Sequence, residues 1–135
     1  MTPPVIQRWL ELIDGDHRDD SGQAIAALLA PDAVFYSPAL FRPQEGRDTV
    51  AAYLGAAAKL LGGPDFRYVN TWYGERSAVL EFVTDLDGIL VNGVDMIEWN
   101  SEGEHADLIV SFKVMLRPFK ALQTVMPKMA ELLGQ

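Results

Sequence analysis

The chain has 135 residues, 49% of them hydrophobic and 22% charged, which is ordinary for one globular domain. Its formal net charge of -8 disfavours nucleic acid and anionic membranes as partners, because a negative surface repels phosphate groups. It has no cysteine, which excludes a disulfide framework, a zinc ribbon and a cysteine nucleophile. No basic segment followed by a long apolar core stands at the N-terminus, so we expect no signal peptide and predict a cytoplasmic protein.

The first half of the chain predicts three helices and one short strand. A proline pair precedes apolar residues at helical spacing over 5–13, which indicates a helix with one buried stripe. A second, shorter helix is expected up to Leu29, and a strand over 33–36 follows it. Residues 42–46 are expected to form a loop, and a third helix is expected over 48–61, where two glycines and a proline end it.

The second half changes from helical periodicity to strict alternation. We expect strands at 66–73, 78–86, 89–100 and 105–116. Short turn sequences such as Asp87-Gly88 join them, so they should form an antiparallel meander. A last helix is expected from Pro118, with Pro127 inside it as a kink or break. Helices followed by a curled antiparallel sheet predict an α+β fold.

The segment after the first helix holds His17 among four aspartates, which raises the question of a metal site. The aspartates are Asp14, Asp16, Asp19 and Asp20. Their spacing does not match a calcium loop, which needs a glycine at its sixth position and a glutamate at its twelfth. A solvated loop is therefore the favoured interpretation, and we predict no metal and no cofactor.

Three segments resemble one known superfamily in their order and spacing. They are PDAVFYSP at 31–38, GRDTVAAY at 46–53 and VDMIEW at 94–99. Together with the element order they resemble the nuclear-transport-factor-2-like, SnoaL-like superfamily, which includes ketosteroid isomerases and polyketide cyclases. The resemblance implies a cone-shaped, cystatin-like fold: N-terminal helices packed on a curved antiparallel sheet, with a C-terminal helix. It implies a single domain over residues 1–135 that holds a small-molecule pocket and commonly pairs as a homodimer.

Asp95 is the main candidate for chemistry. Alternation places it on one strand face with Val91, Ile97 and Trp99, and desolvation in such apolar surroundings should raise its pKa. The resemblance implies that it matches the carboxylic acid that ketosteroid isomerases keep protonated to donate a hydrogen bond to an oxyanion. A buried aspartate with a structural role is the alternative.

Two positions depart from the isomerase pattern. By resemblance Ser37 stands where those enzymes carry their general base, and a serine without its own base does not take a proton from carbon near neutral pH. Trp9 stands at the place of a tyrosine of the oxyanion hole, and an indole N–H donates a hydrogen bond but transfers no proton. Ketosteroid isomerase chemistry proper is therefore disfavoured, and Trp9 has a plain core role as its alternative.

The expected pocket is mostly apolar. Alternation along the last strand places Leu108, Val110 and Phe112 on one face, which the resemblance turns inward. Tyr36, Tyr53 and Tyr68 have hydroxyls that a pocket can use, although most aromatics at such spacing are core residues. We predict the following ligand-binding residues beside Asp95: Trp9, Tyr36, Ser37, Tyr53, Phe82, Thr84, Ile97, Trp99, Leu108, Val110 and Phe112.

Several functions remain open. The first is a SnoaL-like domain that binds a small hydrophobic molecule, with acid–base chemistry of the isomerase, cyclase or dehydratase type on a carbonyl compound. The alternatives are a non-catalytic dimeric binding domain and a protein-interaction module, so whether the chain is an enzyme stays undecided. The homodimer is expected through the outer sheet face, where an apolar patch would otherwise be exposed. That patch is predicted to contain Val69, Val79, Val83, Val94, Met96 and Ile109.

Overall fold

The computed structural model of the chain describes residues 2–14 and 21–134, which contain four helices and six strands. The helices are α1 (Pro4–Asp14), α2 (Ser21–Ala26), α3 (Arg47–Leu61) and α4 (Phe119–Leu132). The strands are β1 (Leu29–Tyr36), β2 (Gln44–Glu45), β3 (Arg67–Tyr73), β4 (Ser77–Leu86), β5 (Ile89–Trp99) and β6 (Ile109–Arg117). The predicted solvated loop around His17 lies outside the described residues. None of the described helices is long and apolar enough to cross a membrane.

The six strands form one curved, unclosed sheet in the order β2-β1-β6-β5-β4-β3. The predicted antiparallel meander from β3 to β6 is confirmed, and so is the α+β class. The sheet is not wholly antiparallel, however, because β1 runs parallel to β6. Parallel neighbours need a long crossover connection, and here the chain passes through α3 and four strands before β6 returns beside β1.

The start of β1 and the nature of 44–45 differ from the prediction. Leu29 begins β1 instead of ending a helix, since it pairs with Ile109 and its carbonyl accepts a hydrogen bond from Arg47 Nε at 3.0 Å. Gln44 and Glu45 form a short edge strand against β1 rather than a loop. The first difference comes from pairing with β6, far along the chain, and the second from the chain folding back onto β1; neither pairing is contained in the local periodicity.

A β-bulge changes which residues of β6 face inward. Glu98 pairs with Ser111 but Trp99 pairs with Ile109, so Val110 is an extra residue opposite a single step of β5. Ile109 is only 1% exposed and belongs to the core, whereas Leu108 and Val110 are partly exposed. The predicted inward face of Leu108 and Val110 was therefore wrong, and so was the outer position of Ile109. The strand also begins at Ile109 rather than 105, because a turn occupies the preceding residues.

Aromatic side chains form the centre of the core. α1 turns Val5, Ile6 and Trp9 inward, as its helical spacing predicts. The Trp9 ring meets Phe112 of β6 edge-on, with the ring centres 5.0 Å apart. Phe112 in turn lies beside Phe35 of β1, so α1 and the middle of the sheet are joined through one aromatic row. Pro127 lies inside α4, which continues through it as one helix.

Candidate functional site

A chain of hydrogen bonds connects the buried Asp95 and Trp9 through the partly buried Tyr68, and we call these three residues the Asp95 triad. The Tyr68 hydroxyl donates to Asp95 Oδ2 at 2.6 Å. The Trp9 indole nitrogen donates to the Tyr68 oxygen at 2.9 Å. Burial of Asp95 was predicted from the strand pattern and is confirmed, since the residue is only 6% exposed.

Three elements position the triad. In β5, Asp95 lies between Leu80 of β4 and Val114 of β6 on the inner face of the sheet. Tyr68 points inward from β3 beside Phe82, one strand further out, and the length of its phenol ring lets it reach Asp95 past β4. α1 supplies Trp9 from above the sheet. Tyr68 was expected as a pocket hydroxyl, but its bond to Asp95 was not predicted, because the strand β4 lies between them.

Burial controls the protonation of the triad. It raises the pKa of Asp95 to about 7, although the hydrogen bond from Tyr68 acts in the opposite direction. Burial and the neighbouring Asp95 raise the pKa of Tyr68 well above its ordinary value. Near neutral pH, Asp95 is therefore partly protonated and partly ionised, while Tyr68 remains a neutral phenol.

A separate cavity of about 210 Å³ lies where α3 and α4 meet the β1–β6 part of the sheet. Its lining is apolar apart from the side chains of Ser37 and Tyr53, and none of the described residues around it carries a charge. The lining residues are Phe35, Ser37, Pro38, Ala39, Leu40, Tyr53, Ala57, Leu60, Leu61, Val114, Leu116, Val125, Met126, Met129, Ala130 and Leu133.

The cavity and the triad have neighbouring residues. Val114 lines the cavity and is the direct cross-strand neighbour of Asp95. Phe35 also lines the cavity, and its ring lies beside that of Phe112, which packs against Trp9. The cavity and the triad are thus adjacent regions of one interior, and Asp95 itself is not among the lining residues.

Apart from Leu108 and Val110, described above, and Tyr36, described below, the predicted ligand-binding residues divide into three groups. Ser37 and Tyr53 line the cavity. Trp9 belongs to the triad, and the Thr84 hydroxyl is engaged by the Leu61 carbonyl at 3.2 Å. Buried side chains that lie outside the cavity lining make up the third group: Phe82, Ile97, Trp99 and Phe112.

Tyr36 needs a correction of its own. It is half-buried and pairs with Lys113, whose ammonium group lies 5.0 Å from the centre of the tyrosine ring. Its neighbour Phe35 points into the core, and successive side chains of a strand point to opposite faces. Tyr36 is therefore on the outer face of the sheet and not beside the cavity.

The part of the cavity wall that α4 and the segment after β1 supply was not predicted from the sequence. Met126 and Met129 come from α4, and Pro38, Ala39 and Leu40 come directly after β1. The signal that could have found them is the apolar run Pro38-Ala39-Leu40-Phe41 outside any predicted element, since exposed apolar residues in a loop often border a binding site. Phe41 is 93% exposed and Leu40 43% exposed.

The outer face of the sheet has apolar residues around a polar row. Trp72, Val79 and Met96 are neighbours across β3, β4 and β5, as are Val94 and Met115 across β5 and β6. Trp72 is 55% exposed and Met115 52% exposed. The polar row joins four strands: Asn70 and Asn92 donate to the two carboxylate oxygens of Glu81, and Arg117 donates to Asn92 Oδ1. The two amides hold the pKa of Glu81 below its usual value.

Within residues 2–14 and 21–134, no three histidine, aspartate or glutamate side chains lie close enough together to hold a metal ion.

Comparisons with known proteins connect the chain to one family. Residues 6–114 match the model of the SnoaL-like domain. No functionally curated protein matches the chain. The similar solved structures include nuclear-transport-factor-2-like and cystatin-like folds, which confirms the predicted fold.

Two of these crystal structures are similar in sequence as well as in shape. An uncharacterized protein with a cystatin-like fold from Silicibacter pomeroyi DSS-3 is 33% identical with a TM-score of 0.80, and the match covers 95% of this chain and 84% of that one. A steroid delta-isomerase from Pseudomonas aeruginosa is 33% identical with a TM-score of 0.83, and the match covers 96% of this chain and 89% of that one.

A third crystal structure is similar in fold alone. It is a de novo designed protein with a curved β-sheet, 15% identical with a TM-score of 0.68, matched over 94% of this chain and 98% of its own. The shared shape therefore needs little shared sequence.

Proposed function

The chain belongs to the SnoaL-like domain family, and we propose that it binds a small, neutral, mostly apolar molecule in the cavity between α3, α4 and the β1–β6 part of the sheet. The observation that carries this proposal is a cavity of about 210 Å³ with an almost wholly apolar lining. Binding sites for small molecules are typically concave and apolar, with a few polar groups that orient the ligand.

Two physical properties of the cavity support a neutral ligand. Each Å² of apolar ligand surface that leaves water contributes about 25 cal/mol, and the lining offers apolar contacts on most sides. An ionised ligand would lose its hydration without gaining an opposite charge, because none of the described lining residues is charged.

The test is a cavity-filling substitution with a matched control on the same helix. Ala57 lines the cavity from α3, whereas Ala52 of α3 is exposed to solvent. Calorimetry with toluene, cyclohexanone and benzoate should show binding of the two neutral compounds to the unmodified protein and to Ala52→Leu. Binding should be lost in Ala57→Leu. Equal affinity in both variants, or preferential binding of benzoate, would contradict the proposal.

Acid–base catalysis on a carbonyl compound is the second candidate function. Three observations favour it: Asp95 has a pKa of about 7, Tyr68 donates to it at 2.6 Å, and Val114 places Asp95 one side chain from the cavity. The similar Pseudomonas aeruginosa protein is a steroid delta-isomerase. A neutral Asp95 at the wall would polarise a carbonyl oxygen if the wall opened toward it.

The described cavity lining has no general base, so we rank ligand binding without turnover above catalysis. Ser37 lines the cavity at the position predicted for the base, and the described lining contains no carboxylate, histidine or lysine. Deuterium exchange at the α-carbons of cyclohexanone, followed by NMR in D₂O, distinguishes the two functions. Exchange that the protein accelerates and Asp95→Asn abolishes would favour the enzyme; exchange at the buffer rate favours the binding domain.

We also propose that a second copy of the chain covers the outer face of the sheet. The proposal is supported by the exposure of Trp72, Met96 and Met115, which lie around the polar row that contains Glu81. Single domains rarely expose large apolar patches to solvent. Analytical ultracentrifugation should give a dimer for the unmodified chain and a monomer for Met96→Glu. Leu132 of α4 is also exposed, so Leu132→Glu serves as the control. A monomer at high micromolar concentration would contradict this proposal.

A further inference from the structure

We propose that the Tyr53 hydroxyl is the polar anchor of the cavity and selects ligands with one neutral oxygen, such as a ketone, over hydrocarbons of the same shape. This inference rests on the proposed function, because it names the ligand class of the same cavity. It concerns a residue of α3, apart from the Asp95 triad.

Tyr53 is fixed by packing in the core. It lies on the buried side of α3 with Val50 and Leu54, and its ring packs against Phe35 with the ring centres 5.7 Å apart. The side chain is only 8% exposed, and both rings line the cavity. Tyr53 is therefore held by the core while one part of it reaches the open space.

The hydroxyl of Tyr53 has no hydrogen-bond partner in the described part of the chain. Among residues 2–14 and 21–134, no group forms a hydrogen bond with it, and no buried side-chain oxygen or nitrogen there lacks a partner. The hydroxyl oxygen must therefore be accessible, although the residue is more than nine-tenths buried. Since Tyr53 lines the cavity, we infer that this accessible oxygen faces it.

The other interior hydroxyls are already engaged. Tyr68 donates to Asp95 and accepts from Trp9, and Thr84 donates to the Leu61 carbonyl. The Ser37 oxygen accepts from the Ala39 amide at 3.1 Å, which leaves its proton as a secondary donor at the cavity wall. Tyr53 thus provides the only hydroxyl among the described cavity residues whose donor and acceptor capacity are both free.

Such a hydroxyl recognises a ligand with a neutral acceptor oxygen. A phenol donates to a carbonyl oxygen, and in apolar surroundings this bond replaces one that the ligand loses on leaving water. The net gain of such a bond corresponds to a factor of between about two and about ten in affinity. A carboxylate would also accept the bond, but the uncharged lining disfavours it.

The test compares two probes of similar size, cyclohexanone and methylcyclohexane, by calorimetry. In Tyr53→Phe, the ratio of cyclohexanone to methylcyclohexane affinity should fall by about two- to tenfold, while methylcyclohexane binds at least as tightly as before. Tyr36→Phe is the matched control, because Tyr36 lies on the outer face under Lys113. Its ratio should equal that of the unmodified protein.

Each alternative result has a distinct meaning. An unchanged ratio in Tyr53→Phe overturns the anchor but leaves the proposed function standing. A ratio that falls in Ser37→Ala and not in Tyr53→Phe overturns it as well, and assigns the role to Ser37. Failure of both probes to bind the unmodified protein overturns the proposed function together with the anchor.

A second measurement does not depend on the variant folding. The infrared carbonyl stretch of cyclohexanone bound to the unmodified protein should move to lower frequency than in cyclohexane, because a donated hydrogen bond weakens the C=O bond. A stretch at the value in cyclohexane would overturn the anchor.

Discussion

The interior of this protein has two neighbouring regions with opposite character. The Asp95 triad contains three polar side chains packed together, and each of its hydrogen bonds joins two members of the triad. The cavity contains open space, but Ser37 and Tyr53 are its only polar side chains among the described residues. One region has polar groups that satisfy one another by hydrogen bonds, and the other has open space with few polar groups.

The difference shows why a buried carboxylate does not by itself identify a binding site. A buried polar group needs a partner, and an internal partner satisfies it as well as a ligand does. Tyr68 plays that part for Asp95, and Trp9, whose ring packs against Phe112, donates to Tyr68 in turn. In the cavity, by contrast, Tyr53 has no such internal partner in the described chain, so a ligand can still provide one.

The largest expected effect concerns the charge of Asp95. Its pKa in the folded protein is about 7 against an ordinary value of 3.8, so the folded state binds more protons than the unfolded state between those pH values. Stability that depends on Asp95 is therefore complete below about pH 4 and is lost as pH rises to about 7. The loss amounts to about 4 kcal/mol, at about 1.4 kcal/mol per pKa unit.

Asp95→Asn isolates this effect, because the amide keeps an acceptor for Tyr68 and cannot ionise. Urea unfolding of both proteins from pH 4 to pH 8 should show the unmodified protein losing stability relative to the variant across that range. Parallel profiles would mean that Asp95 is not desolvated in the folded protein. If the two regions are independent, the affinity of the cavity for cyclohexanone should be the same in both proteins.

A smaller effect is expected from Tyr68→Phe, which opens the triad. The variant leaves the Trp9 N–H and Asp95 without their shared partner, at a cost of about 2 kcal/mol in the free energy of unfolding. The pKa of Asp95 should rise further, because the bond from Tyr68 lowers it. Chemical denaturation and an NMR titration of the Asp95 carboxyl carbon measure the two effects. A lowered Asp95 pKa would show that solvent or another donor replaces the phenol.

The smallest effect is expected from Thr84→Val, at the border of the cavity. The substitution keeps the shape of the side chain and removes the bond to the Leu61 carbonyl, for a loss of about 1 kcal/mol. Ketone affinity should not change, since this hydroxyl is engaged within the protein. Thr124→Val, which removes an exposed bond inside α4, is the control for stability. A ketone affinity that falls in Thr84→Val alone would place Thr84 in the binding site after all.

The sequence alone determined the elements whose side chains repeat at a regular period. Alternation along β3 to β5 predicted the meander and the burial of Asp95, and the apolar stripe of α1 predicted the inward position of Trp9. These properties depend on neighbours within one helix or one hairpin, and such neighbours have a fixed spacing along the chain. The resemblance of three short segments also gave the family, which the comparisons confirm.

Only the tertiary structure decided which of the interior residues meet. The bulge at Val110 changed the faces of β6, and the parallel pairing with Ile109 drew Leu29 into a strand. Asp95 accepts a hydrogen bond from Tyr68 across an intervening strand, while α4 and the segment after β1 form the cavity beside Tyr53. The bulge is a shift in the pairing of two consecutive strands, and the other outcomes follow from contacts between residues further apart in the chain. In each case packing and hydrogen-bond geometry, rather than local periodicity, select the arrangement.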